Sequence, residues 1–151
     1  MGGFVVQKYL ELRDAPAGVL VTSCPSRGAV GQTLRRMKLH PWLTAKAAFT
    51  GKSLPTLNTP QLAREAFFSA RTPESDVVRY AQRLQEDSPK ALSEMMFRLP
   101  KAKLITTPLL VLGAECDGGV TPNEVRATAR AYRTEAEFFP DMGHDMMLEP
   151  G

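Results

Sequence analysis

Cysteine is scarce in this chain, with only Cys24 and Cys116 among 151 residues. Two thiols are too few for a disulfide scaffold. Histidine is equally rare: His40 and His144 have no Cys or His beside them at ligand spacing. No metal site is therefore expected. No apolar run approaches the roughly 20 residues that cross a bilayer, so no integral membrane segment is expected. Neither sign of charge dominates, since 19 Lys and Arg face 16 Asp and Glu for a net charge of +3. That balance is too weak and too dispersed to point to nucleic acid. The densest basic stretch, Arg35, Arg36 and Lys38, reads as a solvated helix face. No basic stretch followed by an apolar core opens the chain, so no secretory leader and a cytoplasmic location are expected.

What is present is ordinary for a folded protein. Hydrophobic residues make up 43% and charged residues 23%. The length suits one domain with a real core.

The chain alternates in character. Residues 2–13 predict a helix in which Phe4, Val5, Val6, Tyr9, Leu10 and Leu12 cover most of the circumference, so burial on most sides is expected. Gly18 to Ser23 predicts a strand, and its unbroken apolar run suggests a sheet covered on both faces. Residues 29–98 predict about four short helices. Three starts are marked by a hydroxyl followed by proline: Thr59-Pro60, Thr72-Pro73 and Ser88-Pro89. The hydroxyl accepts an orphan backbone N–H, and proline at the first helical position loses nothing by lacking one. Another helix runs from Pro41 to Thr50 and stops at Gly51. Strand character returns over Pro108–Gly113. Thr121-Pro122-Asn123-Glu124 is a capping box, and Glu137-Phe138-Phe139 is a third strand. This order predicts an α/β fold with parallel strands and a long helical insertion.

Ligands of open α/β sheets bind beyond the carboxyl ends of the strands. Asp117 follows the second strand and His144 the third. An aspartate before Gly-Gly forms turns on its own account, and a lone loop histidine is commonly just exposed. As a pair on consecutive strands they fit an acid that orients a histidine base. Glu115, Asp141 and Asp145 compete with Asp117 for that role. Ser23 and Cys24 lie on the same sheet edge, but no strained elbow motif surrounds them, so they read as a turn and a pocket-lining thiol. A Cys24–Cys116 disulfide is not expected. Met142, Met146 and Met147 around His144, with Met95 and Met96, read as core packing that could also suit an acyl pocket.

Met1-Gly2-Gly3, Pro108 to Pro122 and Met142-Gly143-His144-Asp145-Met146-Met147-Leu148-Glu149-Pro150 together resemble the C-terminal part of the α/β-hydrolase family. The resemblance is nearest to its capped esterase, lipase and lysophospholipase-like members, whose nucleophile elbow commonly reads G-x-S-M-G-G. It implies a partial α/β-hydrolase fold lacking its N-terminal strands. Residues 1–24 would be the helix and strand after the elbow, 25–100 a helical cap, and 101–151 the core strands carrying acid and base. It implies a carboxylic ester hydrolase with Asp117 as triad acid, His144 as triad base and the Met1 backbone N–H as an oxyanion donor. The nucleophilic serine would lie just before Met1. The complete architecture needs roughly 200 residues before any cap is added. The chain is therefore expected to be a fragment, inactive and aggregation-prone alone, of a parent acting on a small ester or acyl substrate without a cofactor. Two alternatives stand beside this: an aspartate nucleophile, as in dehalogenases and epoxide hydrolases, and a stand-alone, non-catalytic binding protein.

Overall fold

The computed structural model describes residues 1–150. Its order is α1 (Gly2–Leu10), β1 (Gly18–Val21), α2 (Val30–Leu39), α3 (Pro41–Thr50), α4 (Pro60–Phe67), α5 (Glu74–Ala81), α6 (Pro89–Phe97), β2 (Leu109–Ala114), α7 (Pro122–Ala131) and β3 (Ala136–Phe139). The three strands form one parallel sheet in the order β1-β2-β3. Leu20 sits opposite Val111, and Val111 opposite Ala136. The predicted alternation is therefore the observed one. The insertion between β1 and β2 holds five α-helices rather than about four.

The sheet core gathers Leu10, Leu20, Val111, Val120, Val125 and Ala129. Leu20 is fully buried, a burial worth about 1.5–3 kcal/mol. Gly113 lets β2 approach β3 and α7, since a Cβ there would meet the Phe138 ring at 2.8 Å and Val125 at 3.0 Å. A separate cluster of Ala63, Phe68, Val77 and Ala81 holds α4 against α5. A third, Phe4, Cys24 and Met95, joins α1 and α6 to the end of β1.

Helix starts follow the sequence chemistry with one exception. Thr59 and Ser88 accept hydrogen bonds from the Leu62 and Ala91 amides. The capping box at α7 is complete, with Glu124 N donating to Thr121 Oγ1 and Glu124 Oε2 accepting from Thr121 N at 2.9 Å. Thr121→Ala should cost about 1 kcal/mol, read as a lower denaturation midpoint at unchanged slope. The exception is Thr72, which does not cap α5. That helix starts at Glu74, and the Thr72 hydroxyl donates instead to Glu149 at 2.9 Å.

Helix α1 also departs from expectation. It ends at Leu10, and only one stripe of it is buried: Phe4, Gln7 and Leu10. Val5, Tyr9 and Leu12 are 60%, 56% and 76% exposed. Steps of three residues bring positions 4, 7 and 10 to one face, and that face meets the sheet. On β1 Val19 is half exposed, so this strand is not covered on both faces. Its outer edge carries no partner strand among the described residues.

Candidate functional site

The two loops leaving β2 and β3 run side by side. Glu115 N donates to Phe139 O at 3.1 Å and Cys116 N to Met142 O at 2.9 Å. This extension of strand pairing brings Asp117 and His144 together, with Asp117 Oδ2 lying 2.8 Å from His144 Nδ1. The Asp117 side chain is fully buried and that of His144 is 20% exposed.

Asp117 does two things at once. Its Oδ1 accepts from Gly119 N at 2.7 Å and Val120 N at 2.8 Å, closing the turn. Its Oδ2 is left for the imidazole. A carboxylate can only accept, so the neutral ring carries its proton on Nδ1 and leaves Nε2 as the free base. Gly119 sits close against the pair. A Cβ on it would meet Gln32 Nε2 at 3.0 Å, Asp117 Oδ1 at 3.3 Å and His144 Nδ1 at 3.6 Å.

His144 is held along its backbone as well. Thr22, at the end of β1, donates from Oγ1 to His144 O at 2.8 Å. It does so with φ +41°, a left-handed conformation unusual for a β-branched residue and one that costs about 1–3 kcal/mol. Asp145 N donates to Phe67 O at 2.9 Å. The Phe67 ring lies 6.0 Å from the imidazole.

The helical insertion is seated on both loops. A Cβ on Gly118 would overlap Glu65 O, and one on Gly143 would meet Phe67 O at 2.7 Å and Ser69 N at 2.8 Å. Two charged side chains fasten these contacts. Arg35 donates to both oxygens of Glu124, at 2.9 and 2.7 Å, and to Gly119 O at 2.7 Å. Glu149 accepts from Ser69 N, from Thr72 Oγ1 and, at 3.1 Å, from Gly143 N. Arg36 pairs with Glu65 at 3.3 Å. The stretch Arg35, Arg36, Lys38 is thus not simply a solvated face: its two arginines are ion-paired to other elements.

The remaining candidates fall elsewhere. Glu115 and Asp141 are exposed and do not reach the imidazole. Asp145 lines a cavity of about 270 Å³ together with Phe68, Tyr80, Arg83, Leu84 and Leu148, and makes no hydrogen bond to the imidazole. Burial pushes its carboxyl above the usual range, partly offset by the His144 charge. No methionine lines that cavity, and Met147 is 63% exposed while Met95 packs on Phe4 and Cys24. Ser23 Oγ is occupied by Gln7 Nε2 at 2.9 Å. Cys24 is buried, and burial raises its thiol to about 11. Neither is an activated nucleophile. Both cysteines are free. His40 pairs with Glu65 at 2.8 Å and makes no contact with Asp117. No metal-binding cluster occurs among the described residues, and no helix is long and apolar enough to cross a membrane.

Met1 sits at the start of α1, where its carbonyl accepts from Phe4 N at 3.0 Å. Gly3 lets this end of the helix cross the end of β1, since a Cβ there would overlap Ser23. Ser23 follows Thr22, which binds His144 O, so the N-terminal end of α1 lies on the same sheet edge as the His144 loop.

Sequence reasoning did not find Gln7, Thr22, Arg35 or Glu149 as partners of the site. For Gln7 a signal existed, a single amide inside an apolar helix. For the others the partner lies 89 residues away (Arg35 to Glu124), 80 (Glu149 to Ser69) or 122 (Thr22 to His144).

No protein-family model matches the sequence, and no curated protein matches it. Solved structures do. The proposed non-heme bromoperoxidase BpoC of Mycobacterium tuberculosis matches at TM-score 0.66 and 18% identity, over 94% of this chain and 56% of its own. A thermophilic esterase of Thermogutta terrifontis matches at TM-score 0.65 and 19% identity, over 98% of this chain and 56% of its own. Rv0554 of Mycobacterium tuberculosis matches at TM-score 0.57 and 17% identity, over 96% and 56%. The chain thus carries part of the α/β-hydrolase fold and spans little more than half the length of these structures.

Proposed function

We propose that this chain is the cap-bearing C-terminal part of a serine hydrolase acting on carboxylic esters, whose nucleophile lies immediately ahead of Met1. The carrying observation is the 2.8 Å contact between Asp117 Oδ2 and His144 Nδ1 beyond the carboxyl ends of two adjacent parallel strands. The position of Met1 supports it, because α1 begins on that same edge. A helix entered by a sharp turn from a preceding strand is the setting of the nucleophile elbow.

In this reading the serine Oγ attacks the ester carbonyl carbon while His144 Nε2 takes its proton. Asp117 keeps the proton on Nδ1 in the resting ring and stabilises the imidazolium once it forms. His144 then protonates the departing alkoxide, and a water attacks the acyl-enzyme by the same base. The Met1 N–H, as a peptide amide in the longer chain, donates to the oxyanion. Residues 25–100 act as a cap over a small ester or acyl substrate. The chemistry calls for no cofactor.

The test begins with the coding sequence read in frame upstream of Met1, where a Gly-x-Ser is expected. The protein extended through it should hydrolyse a short-chain aryl ester and be labelled by a fluorophosphonate on that serine. The chain starting at Met1 should do neither. Labelling of Ser23 or Cys24, or ester turnover by the 151-residue chain, would overturn the assignment.

A further inference from the structure

We infer that Glu149 is a positioning residue for His144, tying the orientation of the imidazole to the seating of the 69–72 segment of the helical insertion. The inference rests on the reading of His144 as the base. Glu149 belongs to the loop that carries His144 and touches neither the ring nor Asp117, so it acts through the backbone.

Its two oxygens divide between two parts of the fold. Oε1 accepts from Ser69 N and from Thr72 Oγ1, in the connection between α4 and α5. Oε2 accepts from Gly143 N at 3.1 Å, the amide immediately before His144. Ser69 and Thr72 are both buried. Gly143 lies so close to the Phe67–Ser69 backbone that no Cβ would fit. On the other side of His144, Asp145 N is bound by Phe67 O. The histidine is thus slung between two hydrogen bonds that both end on, or pass through, the same short segment of the insertion. A displacement of residues 67–72 pulls on both flanks of His144 together.

The ligand set explains why a carboxylate is used. Three donors converge on it and no acceptor does, an arrangement that an amide cannot satisfy, because one of its two ends would present N–H to N–H. Burial raises the Glu149 carboxyl, but the hydrogen bonds from Ser69, Gly143 and Thr72 outweigh it and hold it below the usual carboxylate range. The folded value therefore lies below the unfolded one. The resulting stabilisation is present above the unfolded value and is lost as pH falls through the folded one. The carboxylate clasp is fully formed throughout the range in which a neutral histidine base would work.

Thr72 is part of the same tie. Its hydroxyl is placed by sequence to cap α5 and is drawn to Glu149 instead. A residue that gives up a helix cap to reach a carboxylate 77 positions away marks where the fold gains more from the long-range tie.

The test uses the N-terminally extended, serine-bearing protein, isotope-labelled, and reads the His144 Nδ1–H proton by NMR. A proton hydrogen-bonded to a buried carboxylate gives a far-downfield resonance, and the wild type should show it. Glu149→Gln should lose that resonance, with the ring switching to the Nε2–H tautomer in at least half of the molecules. Thr72→Val removes one donor on the insertion side only. It should lower the melting temperature by a similar amount yet keep the resonance, which separates positioning from mere stability. An intact resonance in Glu149→Gln would overturn the inference while leaving His144 and Asp117 paired. No resonance in the wild type would count against the pair itself. If Glu149→Gln does not fold, an acid titration of the wild type serves. The amides of Ser69 and Gly143 and the His144 ring should all inflect at one midpoint below the usual carboxylate range. A ring that passes through the amide inflection unmoved would equally overturn the inference.

Discussion

Asp117→Asn should lower the turnover of the N-terminally extended, serine-bearing protein by about 10⁴-fold with little change in KM, the effect expected when a triad histidine is left in the wrong tautomer. The geometry makes the direction unambiguous. Gly119 N and Val120 N both donate to Oδ1. In the asparagine variant the side-chain oxygen must stay with those two amides, because the NH₂ end cannot face two donors. That leaves the NH₂ pointing at His144 Nδ1. The ring answers by accepting on Nδ1 and moving its proton to Nε2, where it can no longer take one from serine. The turn keeps its oxygen, so the melting temperature should change little. Activity should rise with pH as hydroxide replaces the missing base. The measurement is kcat and KM on an aryl ester across pH, with the melting curve as control. A variant within tenfold of wild type would move the acid role to another residue.

The same turn shows how far the site was legible from sequence. Asp117 before two glycines supports two readings, a turn former and a triad acid, and the structure realises both contacts, one on each carboxylate oxygen. The pairing with His144 was readable because parallel strands bring successive loops to one edge, which follows from topology alone. Helix starts were readable where the chemistry is local, as at Thr59 and Ser88. They failed at Thr72, where a distant carboxylate competes for the hydroxyl. Gly118, Gly119 and Gly143 read as ordinary loop glycines. Their close approach to the Glu65–Ser69 backbone and to the imidazole depends on where the insertion folds back, and no local pattern encodes that. Arg35 was misjudged for the same reason, its partner Glu124 being 89 residues distant.

The sheet edge makes sense of the surface that sequence reasoning misplaced. Val5 and Tyr9 on α1, Leu12 just beyond it and Val19 on β1 were expected to be buried and are exposed. A helix that follows a strand and returns to a parallel neighbour packs across the gap between them. Helix α1 meets the sheet along Phe4, Gln7 and Leu10 only, and the apolar side chains on its other face have nothing against them among the described residues.

The buried face of α1 supplies the second large effect. Gln7→Leu should destabilise the fold by about 3 kcal/mol although it exchanges a polar side chain for an apolar one of similar size in a buried place. Gln7 is 0% exposed and makes three hydrogen bonds. Its Nε2 donates to Ser23 Oγ at 2.9 Å and Cys24 O at 2.8 Å, and its Oε1 accepts from Tyr132 OH at 2.7 Å. One amide thereby joins α1, the end of β1 and the end of α7. Burial, reinforced by the Glu11 charge, pushes the Tyr132 phenol well above its ordinary value. It therefore stays protonated and needs an acceptor at every pH the protein meets. Leucine removes both ends of the bridge: three hydrogen bonds are lost, the Cys24 carbonyl keeps only the 3.2 Å bond from Ser23 Oγ, and the Tyr132 hydroxyl is left without an acceptor, at about 1–3 kcal/mol for that group alone. The gain in hydrophobicity does not offset this, because the groups around the side chain remain polar. A double variant, Gln7→Leu with Tyr132→Phe, should recover about 1 kcal/mol by removing one orphaned hydroxyl, a coupling that denaturant unfolding of the four proteins of the cycle would measure. A single Gln7→Leu as stable as wild type, or a cycle with no coupling, would mean that water or rearrangement satisfies Tyr132, and that the polar bridge is not what holds α1 to the end of β1.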